Sequence, residues 1–128
     1  MPERLVIDAS TAIDLFVAQA PMADAMIERV AVAVNHTSAV FPFEVANGLR
    51  REVRDDDAYR QGLAFIDDFP ATLLDWSLVR HRVAQLRHNL TSYDASYVAV
   101  AELTGSTLLT RDTRLDRVPG IVCPVDVW

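Results

Sequence analysis

Four carboxylates in this sequence stand where an apolar run ends or a new segment begins. Asp8 follows "RLVI", Glu44 stands two residues after Pro42 in "PFEVANGL", Asp94 stands at the start of the helical stretch "SYDASYVAVA", and Asp112 follows "TLLT". Carboxylates brought to one place repel one another unless cations join them. Their hard oxygen donors suit magnesium or manganese, ions that keep several waters and leave positions open for phosphate. One or two such ions would activate water, polarise a phosphodiester and stabilise the leaving oxygen, which needs no protein nucleophile.

Each acid also has a plainer account. Asp and Glu near helix N-termini are favoured by capping and by the helix dipole, at about 0.3 to 2 kcal/mol apiece. A cap, however, is replaceable by Ser, Thr or Asn, and Ser10, Thr91 and Ser92 already stand beside Asp8 and Asp94 to do that work. The joint placement of the four therefore favours a site.

The elements that must position them follow from periodicity and punctuation. Strands are expected at 4–8, 37–42, 71–76, 106–110 and 120–125. Helices are expected at 10–20, stopped by Pro21, and at 22–34, 43–54, 55–69, 77–89 and 91–105, with a turn or short helix at 111–118. Ser77 is the expected cap of the helix at 77–89, Gly105 ends the one before the fourth strand, and Gly48 is a mild cost inside its helix. Strands alternating with helices predict an α/β fold, a parallel sheet covered on both faces. In such sheets ligands bind beyond the carboxyl ends of the strands, where strand order reverses. All four acids fall on what should be that edge.

The 128 residues predict one domain spanning 1–128. A net charge of −6 argues against a nucleic-acid partner unless metal ions reverse the local sign where the acids gather. All 12 basic residues are arginine. The missing lysine disfavours P-loop chemistry, and equally receiver domains and haloacid-dehalogenase-type phosphatases, which also rely on a lysine near the phosphate. The phosphatases also want a second aspartate two residues after the first, where Ser10 stands. The lone Cys123 forms no internal disulfide and no zinc set is visible, which fits a reducing cytoplasm. No segment reaches membrane-spanning length, so a soluble cytoplasmic protein is expected. At 51% hydrophobic residues and a mean hydropathy of +0.13 there is apolar surface to spare for a partner.

"VIDAS", "PFEVANGL", "LTSYDASYVAVA" and "LLTRDTRL" resemble, in order and spacing, the motifs of PIN-domain ribonucleases, more closely the VapC-type toxins of toxin–antitoxin pairs. The resemblance runs from Val6 to the last strand. It implies a three-layer α/β/α domain around a central parallel sheet, cleaving RNA with Mg2+ or Mn2+. Asp8, Glu44, Asp94 and Asp112 match the family's metal-binding, catalytic acids, and Ser10, Asn47 and Thr110 its usual polar neighbours. Asp116 and Asp14 are either further acids near the metals or solvated ones. Arg50, Arg51, Arg111 and Arg114 are candidates to hold RNA, as is Arg54, while Arg80, Arg82 and Arg87 are expected on a solvated helix face. The family implies a homodimer and a VapB-type antitoxin whose C-terminal segment enters the acidic groove. The alternative is a PIN-like module that binds without cleaving, against which the four intact acids argue.

Overall fold

Leu5, Val6 and Ile7 have no exposed surface, the condition of a strand flanked on both edges and covered on both faces. In the computed structural model, which describes residues 1–17 and 21–128, this run is β1 (Arg4–Ile7). It pairs with β2 (Val34–Ser38) on one side and β4 (Thr107–Thr110) on the other. Beyond these lie β3 (Thr72–Leu74) and β5 (Val125–Val127), giving a fully parallel sheet of order β3-β2-β1-β4-β5.

Right-handed crossovers then fix the layers. The connections from β1 to β2 and from β2 to β3 step the same way and carry α1 (Ala9–Val17), α2 (Pro21–Val32), α3 (Phe41–Glu52) and α4 (Asp56–Asp68). The connection from β3 back to β4 steps the other way and carries α5 (Trp76–Gln85) and α6 (Ser92–Thr104). Helices thus cover both faces, as expected of a three-layer α/β/α fold. α6 is buried from Ala95 to Ala101 because it lies between β1, β2 and β4 on one side and α5 on the other. Among the described residues no helix is long and apolar enough to cross a membrane.

Several boundaries differ from expectation, each for a local reason. The second strand is 34–38 rather than 37–42, and the preceding helix stops at Val32. Its polar residues mask a buried strand: Asn35 Nδ2 donates to the carbonyls of Val30 and Pro70, and Thr37 Oγ1 to that of Ile7. Pro42 lies in the first turn of α3, where a missing N–H costs nothing. The third strand ends at Leu74 because Asp75, not Ser77, caps α5, accepting the Ser77 N–H at 3.0 Å. The last strand begins at Val125, after the Pro124 carbonyl has met the Leu108 N–H. Gly105 does end α6, in the left-handed conformation at φ 65°. Residues 18–20 of the expected helix 10–20 lie outside the described residues.

Candidate active site

Strand order reverses between β1 and β4, so the crevice at their carboxyl ends is the sheet's switch point. Asp8 directly follows β1, Thr110 ends β4 and Asp112 lies two residues beyond it. Glu44 and Asp94 stand in the first turns of α3 and α6.

Asp8 is 7% exposed and fully engaged on one side. Its Oδ1 accepts from the Ser10 hydroxyl at 2.7 Å and the Thr11 N–H at 3.0 Å, and its Oδ2 accepts from the Thr110 hydroxyl at 2.5 Å. Asp8 is therefore the cap of α1 as well as a candidate ligand, and Ser10 serves Asp8 rather than replacing it. The two hydroxyls accept in turn from backbone, Ser10 from the Arg111 N–H and Thr110 from the Asp112 N–H, both at 3.0 Å. A hydroxyl has one proton, and here both protons go to Asp8. Burial pushes the Asp8 carboxyl up, while the Thr110, Ser10 and Thr11 hydrogen bonds pull it back.

Glu44 Oε1 accepts from the buried Tyr97 hydroxyl at 2.7 Å. Burial raises Glu44, the Tyr97 hydrogen bond opposes that, and the charges of Asp94 and Asp8 add to it. Burial also raises Asp94, and the charge of Asp112 raises it further, against the pull of Arg114 and Thr91. Asp112 alone lies below the ordinary carboxylate range, because Arg114 holds it through Nε at 3.0 Å and Nη2 at 2.8 Å. Glu44 thus feels the charges of Asp94 and Asp8, and Asp94 that of Asp112. Yet among the described residues no three His, Cys, Asp or Glu side chains converge tightly enough to hold an ion. Glu44 is drawn to Tyr97 and Asp112 to Arg114. The donor set still fits a divalent cation in kind: it is all carboxylate oxygen, and the repulsion among these acids is what a hard cation removes.

Around the acids the expectations divide. Ser10 and Thr110 sit against Asp8 as described. Asn47 is exposed and shares an open pocket of about 430 Å3 with Val40, Phe43, Glu44 and Tyr93. Asp116 faces solvent in a 3-10 turn (Leu115–Arg117), 3.9 Å from Arg117, and makes no hydrogen bond to the cluster. Asp14 is paired with Arg111 at 2.7 Å, and that guanidinium also stacks 4.4 Å above the Trp128 ring and donates to the Trp128 carbonyl. Arg111 braces the loop that carries Asp112. Arg50 and Arg51 are exposed in the last turn of α3. Arg82 is not on a solvated face; it pairs with Glu102 at 2.6 Å. Nothing in the sequence marks Tyr97 as a partner of Glu44: it lies one turn after Asp94, next to a second hydroxyl, Ser96, in a stretch otherwise of Ala and Val.

A parallel α/β/α sandwich with carboxylates gathered at its switch point defines a class, and the sequence profile of the PIN domain matches residues 5–121: the chain belongs to the PIN-domain family, in its VapC branch. It is 30% identical to Ribonuclease VapC1 of Mycobacterium tuberculosis over 128 residues, 96% of each chain. To Ribonuclease VapC3 of the same organism it is 34% identical over 123 residues, 91% of this chain and 88% of that one. Among solved structures it is similar in fold to VapBC2 of Rickettsia felis bound to a promoter DNA fragment, with a TM-score of 0.75 at 12% identity over 98% of both chains. It is also similar to VapC20 of M. tuberculosis, a toxin that cleaves the sarcin–ricin loop, with a TM-score of 0.69 at 18% identity over 92% of this chain and 96% of that one.

Proposed function

We propose that this chain is a metal-dependent endoribonuclease, the toxin of a type II toxin–antitoxin pair, which hydrolyses RNA phosphodiester bonds with Mg2+ or Mn2+ held by Asp8, Glu44, Asp94 and Asp112. What carries the reading is the placement of four carboxylates, from four separate stretches of chain, around the switch point of the sheet, of which only Asp112 is paired with a guanidinium among the described residues. Membership of the PIN family and relatives named ribonucleases support it.

The ion, when bound, supplies Lewis-acid activation of water and of the phosphodiester. The chain's own residues prepare for it. Ser10, Thr110 and the Thr11 N–H fill three of the roughly four lone-pair sites of Asp8, fix its orientation and oppose the effect of burial on its charge. Tyr97 fixes one oxygen of Glu44. Arg114 neutralises Asp112, and Arg50 and Arg51 are free to meet phosphate. The whole chain acts as a single PIN domain, forms a homodimer and is inhibited by a VapB-type antitoxin.

The test is cleavage of total bacterial RNA by antitoxin-free protein, with manganese and with a chelator, beside Asp94→Asn. The expected result is discrete fragments from the native protein with manganese only, and at least about a hundredfold less from Asp94→Asn, since an amide lacks the charge the ion needs. Folded native protein that cleaves nothing with manganese, or Asp94→Asn cutting at the native rate, overturns the assignment.

A further inference from the structure

We infer that the open pocket beside the carboxylates takes one unpaired nucleobase of the RNA, with Phe43 and Tyr93 as its stacking faces and Asn47 as its hydrogen-bonding edge. This role rests on the ribonuclease reading above and names the part of the substrate which that reading leaves open.

Phe43 is 82% exposed and Tyr93 57%. Each immediately precedes a candidate acid, Glu44 or Asp94, in the first turn of its helix. Consecutive helical residues point about 100° apart, so the acid that turns into the crevice leaves its neighbour at the rim. Both aromatics line the same pocket, together with Val40, Glu44 and Asn47. The volume of about 430 Å3 is ample for one base. Because Glu44 itself lines the pocket, a base seated there has its own phosphates beside the candidate metal site.

The chemistry of the lining selects a base. Stacking on an aromatic side chain suits any base, since each has a π-face. The Asn47 amide both donates and accepts, and its one contact among the described residues is a long one, 3.4 Å from Arg50 Nε to its Oδ1. It is free to read a base edge. Charge argues the same way. With a net charge of −6 and no lysine, general attraction to phosphate is weak here, and stacking must supply a larger share of the affinity. A base that enters such a pocket is out of any helix, so the RNA is unpaired at that position. The competing occupant is another protein surface packed on the same aromatics.

One set of variants separates these: Phe43→Ala, Phe43→Trp, Tyr93→Ala, Tyr93→Phe and Asn47→Ala, in the full chain. The probe is a labelled pool of short single-stranded RNAs of random sequence. Its affinity is measured by fluorescence anisotropy in chelator, fragment ends are sequenced after digestion in manganese, and oligomeric state is read by light scattering. Each alanine in place of an aromatic should weaken binding by about fivefold or more, while the aromatic replacements stay near native. Asn47→Ala should relax base preference at one fixed position next to the cut. The exposure of Phe43 and Tyr93 makes loss of folding an unlooked-for result, and thermal melts check it. Alanine variants that bind as tightly as native protein overturn the pocket, as does a change of oligomeric state without a change of affinity, which assigns the aromatics to a protein interface. Native protein that cleaves RNA while these variants bind normally leaves the nuclease standing and removes only the pocket; native protein that neither binds nor cleaves removes both.

Discussion

Tyr97 is 3% exposed, and its hydroxyl is the one side-chain donor that Glu44 has among the described residues. Tyr97→Phe keeps the ring and removes that donor. Stability should move by about 1 kcal/mol or less, the net worth of one hydrogen bond. Cleavage should fall by roughly 10- to 100-fold, the usual cost of losing a group that orients a metal-binding side chain, and should recover in part as manganese is raised. Steady-state rates across a manganese titration, with melts alongside, decide it; unchanged rates would show that Glu44 needs no orienting partner. The contrast with the acids shows what a sequence exposes at this scale. Asp8 and Asp112 stand at fixed offsets from apolar strands, so the edge they occupy was readable, whereas Ser10 and Thr110 were marked only by the family resemblance. Tyr97 was not readable, because α6 is buried from Ala95 to Ala101 and offers no polar face from which to judge where a hydroxyl points.

At the scale of elements, the helix that carries Glu44 depends on a close approach. A Cβ at Gly48 of α3 would lie 2.1 Å from Ile13 Cδ1 and 3.0 Å from Ile13 Cγ1 of α1, the helix capped by Asp8. The sequence shows Gly48 only as a cost to a helix; the reason for it is the neighbour, which a sequence does not name. Gly48→Ala gains about 1 kcal/mol of helix propensity but must displace Ile13, and overpacking costs about 1 to 3 kcal/mol. A net loss of stability is expected in urea unfolding. Ile13→Val deletes Cδ1, so the double variant should lose less than the two single changes summed. Strict additivity would mean that the helices part easily at this point. The same limit explains the displaced strand: in "VNHTS" the partners of Asn35 and Thr37 are carbonyls of Val30, Pro70 and Ile7, and without those partners nothing in the run marks where the strand begins. Alternation of strand and helix, by contrast, needs no knowledge of partners, and it carried the α/β expectation through.

Across the whole molecule, ion pairs between distant stretches secure the segments that close the sheet. Arg29 of α2 joins Glu3, at the entry to β1, to Asp126 in β5, at 2.7 Å each. Arg82 of α5 holds Glu102 of α6 and donates to the Gly120 carbonyl at 2.6 Å, while Glu102 Oε2 accepts the Val122 N–H at 2.8 Å. The segment leading into β5 is thereby tied to the outer helix layer, a link no spacing of residues announces. Burial pushes the Glu102 carboxyl up, but the Arg82 hydrogen bond, the Val122 and Cys123 N–H groups and the Arg82 charge together bring it below its ordinary value of 4.5. A carboxyl lowered in the folded state stabilises the fold above its unfolded pKa and loses that contribution as pH falls through the folded one. Glu102→Gln should therefore cost about 1 to 2 kcal/mol near neutrality, the modest value suited to a partly exposed pair with charged hydrogen bonds. Denaturant unfolding of native and variant protein over a pH series should show the gap closing below 4.5. A gap that stays constant with pH would mean that Glu102 holds this segment by its shape and hydrogen bonds alone, with its charge irrelevant to the fold.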